Sequence, residues 1–195
     1  QSWGSITIIN PLEKIWNGYS DTRMGASMDS YLNGYNDPRL PVYFQPVTEG
    51  DNKGEYRGVA NGMPNPQQDD YKAMSAPNVQ EKSTDSPLRW MMASEVAFLR
   101  AEGAMRGWTA EMGGTAEEFY NKGIELSFLE NGLSADAAAR YAADETSKPT
   151  DFTDVSAANT KYNISALGKI TIKWNAGASE EEQLERIITQ KWIAM

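Results

Sequence analysis

Between Ser86 and Gly132 the sequence is punctuated as a pair of helices, and that punctuation leaves few other structures open to the chain. Ser86 suits an N-cap and Pro87 the first helical position, where a missing N–H costs nothing. Leu88, Met92, Val96, Leu99 and Gly103 follow at spacings of 4, 4, 3 and 4, and Met91 and Phe98 widen the stripe. The spacing predicts a largely buried helix over 87–106, stopped by Gly107. Gly113-Gly114 makes the turn. Thr115 with Glu118 forms a capping box for a second helix, Ala116 to Glu130, which Asn131-Gly132 ends. Together they predict an αα-hairpin over 87–130. Ala116, Tyr120 and Gly123 match the small–aromatic–small spacing of a tetratricopeptide second helix, although one repeat is visible and its first-helix Trp and Tyr positions are not met.

The segment before this hairpin has a different composition. Residues 1–85 hold seven of the nine prolines, eight of the sixteen glycines and six of the nine tyrosines. Runs such as Asn36-Asp37-Pro38-Arg39 and Asn61-Gly62-Met63-Pro64 are turn chemistry, because Pro fixes φ, Gly supplies positive φ and Asn or Asp bonds its own backbone. The aromatic content argues for order, so 1–85 is expected to be a loop-rich segment and 86–195 a helical part. Beyond the hairpin a short helix is expected over Ser134 to Ala143, then an irregular insert over 144–178. Within that insert Ile170, Ile172 and Trp174 alternate with Thr171 and Lys173, a short strand signal. Ser179 with Glu182 opens a last helix over 179–195, where Leu184, Ile187, Ile188, Lys191, Trp192 and Met195 recur at helical spacing. With its apolar face open at Met195 and no start Met before Gln1, the chain is expected to be an internal piece of a longer protein, its last helix truncated.

Composition narrows the chemistry. The 195 residues carry 18 Lys and Arg against 27 Asp and Glu, a net charge of −9, which argues against nucleic acid and anionic membrane surfaces as partners. No apolar run approaches the roughly 18 residues of a membrane span. The chain has no His and no Cys, which removes Ser-His-Asp and Cys-His triads, thiolate and imidazole metal sites and disulfides. Carboxylates remain, and Glu95 and Glu102 are the best acid–base pair because both fall on the apolar stripe of the first helix. Their Cα atoms would stand about 10.5 Å apart, beyond the roughly 5–5.5 Å of retaining glycosidases and the inverting range. The structural alternative is a pair of buried carboxylates, each matched with a cation or capping a neighbouring helix. Asp51-Asn52-Lys53-Gly54-Glu55 is oxygen-rich but fails the EF-hand pattern and reads as a solvated turn. No metal or other cofactor is expected.

The aromatic loops suggest binding. Trp16, Tyr19, Tyr31, Tyr35, Tyr43, Tyr56 and Tyr71 sit among Asn, Asp, Arg and Gln. An aromatic face suits the apolar side of a sugar ring, and planar amides, carboxylates and Arg suit its hydroxyls. By local chemistry Tyr35, Arg39, Tyr56 and Tyr71 are the candidate ligand-binding residues.

Several blocks follow one another in a familiar order: Asn36-Asp37-Pro38-Arg39-Leu40, Gly54-Glu55-Tyr56-Arg57-Gly58, Met91 to Glu102, Arg106-Gly107-Trp108, Ala116 to Ser127 and Ile187 to Ala194. In that order they resemble the SusD/RagB family across nearly all of the chain. The resemblance implies an all-α fold in which tetratricopeptide-like helical pairs pack with a long loop-rich segment. It implies a lipid-anchored protein on the outer face of the Bacteroidetes outer membrane, touching the membrane only through an anchor outside this piece. It further implies non-catalytic capture of an oligosaccharide, or in some members a peptide, for a TonB-dependent transporter. It places Glu95 and Glu102 in a structural helix, and it transfers no ligand contact residue by residue. The alternatives are a carboxylate-based glycoside hydrolase using Glu95 and Glu102, and a helical scaffold that binds a peptide segment in a groove.

Overall fold

In chain order the helices are α1 (Ala26–Gly34), α2 (Leu40–Tyr43), α3 (Gln68–Tyr71), α4 (Ala93–Met105), α5 (Thr109–Met112), α6 (Ala116–Glu130), α7 (Ala135–Ala142), a 3-10 helix (Ala157–Tyr162) and α8 (Glu180–Ala194). The structure is a computed structural model that describes residues 15, 19–63, 68–78 and 90–195. The expected cap at Ser86 and the helix start at Pro87 lie outside these residues; among the described ones the helix expected over 87–106 begins only at Ala93, because Met92 is in an extended conformation. Among the described residues pairing is limited to isolated bridges, such as Gly25 with Val59 and Phe44 with Pro77, so the fold is all-α. The chain divides into two units, one of Ser30–Leu40, Arg89–Phe152 and Ile164–Met195, the other of Gln1–Asp29, Pro41–Leu88 and Thr153–Asn163.

The first of these is built on the α4–α6 hairpin, with α8 packed on both helices and α7 on α6. Local signals set most of its boundaries. Both capping boxes form: the Thr115 hydroxyl accepts from the Glu118 N–H and the Glu118 side chain accepts from the Thr115 N–H, and Ser179 and Glu182 do the same at α8. Ser134 caps α7 by accepting from the Ala137 N–H. Gly107, at φ +89°, closes α4. Its N–H donates to the Ala104 carbonyl, and the Trp108 N–H to Gly103, the paired bonds of a left-handed helix stop. The start of α4 is capped from a distance: the Ser94 N–H and hydroxyl donate to the Glu130 carboxylate at 3.1 and 2.7 Å.

The buried face of α4 differs from the expected stripe. Ser94, Ala97, Phe98, Ala101, Gly103 and Ala104 are buried, whereas Met91, Val96 and Leu99 are exposed. Close packing explains the choice. Phe98 lies over Gly123 of α6, and a Cβ at Gly103 would meet the Met112 thioether at 2.8 Å, so the contact face takes small residues and the branched ones turn outward.

The strand signal at 170–174 has a different outcome. Ile170, Ile172 and Trp174 are buried and Lys173 is exposed, as alternation requires, yet no strand forms there. Helix side chains take the place of a neighbouring strand. The Tyr35 hydroxyl donates to the Ile170 carbonyl at 3.2 Å, the Tyr120 hydroxyl to Ile172 at 2.6 Å, and Arg186 Nε to Lys173 at 3.1 Å.

The other unit holds few helices and satisfies its backbone by loop-to-loop bonds. The Met24 N–H donates to Ser75, Val59 to Met24, Val47 to Glu55 and Gln45 to Ala76. Val47, Tyr71 and Met74 form its core, with Val59, Met63, Ala73 and Val155 packed against them. Gly58 is needed for a close approach: a Cβ there would lie 2.9 Å from the Gly25 carbonyl oxygen, and its N–H donates to Asp29 Oδ2 at 2.6 Å. Asp51 to Glu55 is a solvated turn, with Gly54 at φ +89°.

Candidate functional site

Arg39 lies just before α2 with a side chain that reaches no solvent. Its Nε and Nη2 donate to the two oxygens of Asp37 at 2.9 and 2.6 Å, a bidentate pair that local sequence places two residues apart. Nη1 donates to Ser127 Oγ at 2.9 Å, and Nη2 shares its hydrogens further with Gln190 Oε1 at 3.0 Å and the Tyr141 hydroxyl at 3.3 Å. The guanidinium also stands 5.0 Å from the Phe128 ring centre and 5.3 Å from that of Tyr141. A charge this deep is tolerable only with such compensation. Chemically it ties the loop after α1 to α6, α7 and α8. Beside it, burial pushes the Tyr141 hydroxyl well up from its ordinary value.

Tyr35 belongs to the same unit and is equally interior. Burial is the main cause that raises its hydroxyl, which stays a neutral donor to the Ile170 carbonyl. Tyr56 and Tyr71 belong to the other unit. Tyr56 is half-buried. Tyr71 is buried in the loop core, where its hydroxyl donates to Asp154 at 3.2 Å and accepts from Asn159 Nδ2 at 2.6 Å. Of the four candidates, Tyr35 and Arg39 thus share one unit, and Tyr35, Arg39 and Tyr71 direct their polar atoms to interior partners.

Glu95 and Glu102 do not converge. The Lys191 ammonium lies 3.4 Å from Glu95 Oε1, and Arg106 Nη2 lies 2.7 Å from Glu102 Oε1. Both carboxylates are matched with cations, as expected, but they are half-buried rather than buried, with about a third of each side chain exposed. Among the described residues no group of three acidic side chains could hold a metal ion.

Sequence reasoning overlooked the indoles beside α4. Trp90, just before the helix, is 85% exposed, and Trp108, just after Gly107, is 56% exposed. For Trp108 the available signal was its place past the stop at Gly107, since a residue past a cap is released from the packing face; Trp90 fell inside the helix expected over 87–106, which begins only at Ala93. The apolar side chains left in solvent form a second feature. Val96 and Leu99 on α4, and Ile188, Trp192 and Met195 on α8, lie within about one turn of the Glu95–Lys191 pair that joins the two helices. A shallow cleft of about 210 Å³ opens between the end of α1 and the outer side of α7, lined by Tyr35, Asn36, Pro38, Arg140, Tyr141 and Asp144 among others.

Comparison with known proteins supplies the context. A family described as "SusD-like: Susd and RagB outer membrane lipoprotein" matches residues 2–195. No curated protein matches. A chitin-binding SusD homologue from Flavobacterium johnsoniae superposes with a TM-score of 0.85 and 39% identity, over 95% of this chain and 36% of its own. A SusD-like protein from Bacteroides thetaiotaomicron gives 0.83 and 45% identity, over 92% of this chain and 36% of its own. A second SusD homologue from that organism gives 0.83 and 41%, over 96% and 38%. The chain therefore spans a little over a third of the length of these structures.

Proposed function

We propose a function from one premise: the chain belongs to the SusD-like family of outer-membrane lipoproteins. Its role is non-catalytic capture of nutrient at the bacterial cell surface, with oligosaccharide as the ligand class and a TonB-dependent outer-membrane transporter as the recipient. The observation that carries the sugar reading is the likeness to the chitin-binding homologue, 39% identical over 95% of this chain.

Side-chain chemistry supports binding over turnover. Glu95 and Glu102, the candidate acid–base pair, are engaged by Lys191 and Arg106 instead of facing each other across a shared substrate position. Exposed Trp90 and Trp108 offer flat apolar faces to a pyranose.

The test is titration with chito-oligosaccharides and a panel of other oligosaccharides, followed by tryptophan fluorescence, with recovered sugars weighed by mass spectrometry. Saturable binding with sugar returned intact is expected. Cleaved sugar would move the assignment to a hydrolase and make Glu95→Gln the next variant. A chain silent to every sugar but responsive to peptides would move it to a peptide scaffold.

A further inference from the structure

We propose that the cleft between the end of α1 and the outer side of α7 is a subsite for one neutral sugar ring, with Arg140 and Asp144 holding adjacent hydroxyls. This assignment rests on the saccharide reading above and names a place and a ligand size within it.

The walls are fixed before any ligand arrives. Asn36 sits in the left-handed region at φ +48°, and Pro38 has its φ set by its ring. The Tyr35 hydroxyl is tied to the Ile170 carbonyl, and the Tyr141 hydroxyl accepts from Gln190 Nε2 at 3.1 Å and from Arg39. Asp144 is clamped: Oδ1 accepts from the Thr146 N–H, the Thr146 hydroxyl and the Ser147 N–H at 2.7, 2.9 and 2.9 Å, and Oδ2 from the Ser147 hydroxyl at 2.6 Å. A rigid wall loses little freedom when a ligand binds.

Against these fixed groups one polar side chain is unspent. Arg140 is exposed and, among the described residues, makes no hydrogen bond or ion pair. It brings five N–H donors to the cleft. Asp144 Oδ2 takes a single bond from the protein, so one of its acceptor directions stays open. Arg140 and Asp144 both line the cleft, which thus offers a donor and an acceptor, one positive and one negative. An anion would meet the Asp144 charge and a cation the Arg140 charge. A vicinal diol satisfies both, because one hydroxyl oxygen accepts from Arg140 while its neighbour donates to Asp144. Pro38, Ala137, Tyr35 and Tyr141 also line the cleft and offer apolar surface to the ring's C–H side. At about 210 Å³ the space is below the roughly 300–1,000 Å³ of sites for larger ligands. It suits a chain end or a branch rather than the length of an oligosaccharide.

The experiment uses the full 195-residue chain, isotope-labelled, with its amide spectrum recorded during titration with glucose, N-acetylglucosamine and glucuronate. Saturable shifts at Asn36, Ala137, Arg140 and Asp144 are expected with the two neutral sugars, and Arg140→Ala should weaken them about ten-fold or more. Because the Arg140 side chain has no hydrogen-bond or ion-pair partner among the described residues, the rest of the R140A spectrum should be unchanged. Shifts at these residues that persist undiminished in R140A would overturn the assignment, as would tighter binding of glucuronate than of glucose. Oligosaccharide binding seen by tryptophan fluorescence while the cleft stays silent would overturn this inference alone. Silence of both readouts would overturn the saccharide reading with it.

Discussion

Gly123 of α6 faces the ring of Phe98 of α4 so closely that a Cβ on the glycine would stand 2.6 Å from the ring's Cε1. In a solvent-exposed helix interior, replacing Gly by Ala stabilises by about 0.5–1 kcal/mol. Here the sign should reverse. Gly123→Ala is expected to cost about 1–3 kcal/mol through overpacking, seen as a lower urea midpoint at unchanged slope. A neutral or stabilising result would show that the two helices can separate cheaply.

The Arg39–Asp37 pair makes a second case. Arg39→Met keeps the bulk but strands the Asp37 carboxylate in the interior, and should cost about 3–5 kcal/mol. Adding Asp37→Asn removes the orphaned charge, so the double variant should recover part of that loss. If the double variant is as damaged as the sum of the two singles, the pair is not electrostatically coupled.

Asp144 gives a pH dependence. Burial alone would raise its pKa, but the hydrogen bonds from Ser147 and Thr146 outweigh that and hold it at about 2, below its ordinary 3.8. A depressed folded pKa means a stabilising contribution that is complete above 3.8 and lost as pH falls through about 2. Ser147→Ala should move the Asp144 titration upward, toward 3.8, in a carbon-detected carboxylate titration. No movement would assign the shift to some other group.

The capping boxes are the most local prediction. Thr115→Ala and Ser179→Ala should each cost about 0.5–2 kcal/mol, whereas Thr115→Ser should be nearly silent. Hydrogen exchange should quicken first in the opening turns of α6 and α8, because those N–H groups lose their acceptor.

These cases separate what lay in the sequence from what did not. The caps at Thr115 and Ser179 and the stop at Gly107 were legible because donor and acceptor lie within five residues of one another. Membership of the SusD-like family was legible too, since ordered blocks along one chain carry it. The facing of α4 was not. Val96 and Leu99 recur at the helical period as a buried stripe would, but the period reports that a helix has two faces, not which of them a neighbour can approach. The close contact at Gly123 selected the small-residue face. Trp90 and Trp108 were missed because exposure past a helix end depends on what the chain does next.

The candidate residues show the same limit. An aromatic or planar polar side chain looks alike whether it meets a ligand or the interior. The Tyr35 hydroxyl bonds Ile170, that of Tyr71 bonds Asp154 and Asn159, and Arg39 bonds Ser127, Tyr141 and Gln190, the last 151 positions away. By itself the sequence determined where α6, α7 and α8 begin, where α4 ends, that the chain is acidic and free of His and Cys, and which family it joins. Each of those is fixed by short-range bonding or by composition. The tertiary structure alone decided which polar groups are spent inside and which, like the Arg140 side chain among the described residues, make no bond at the surface. That outcome depends on partners brought together from distant parts of the chain, and no local spacing encodes them.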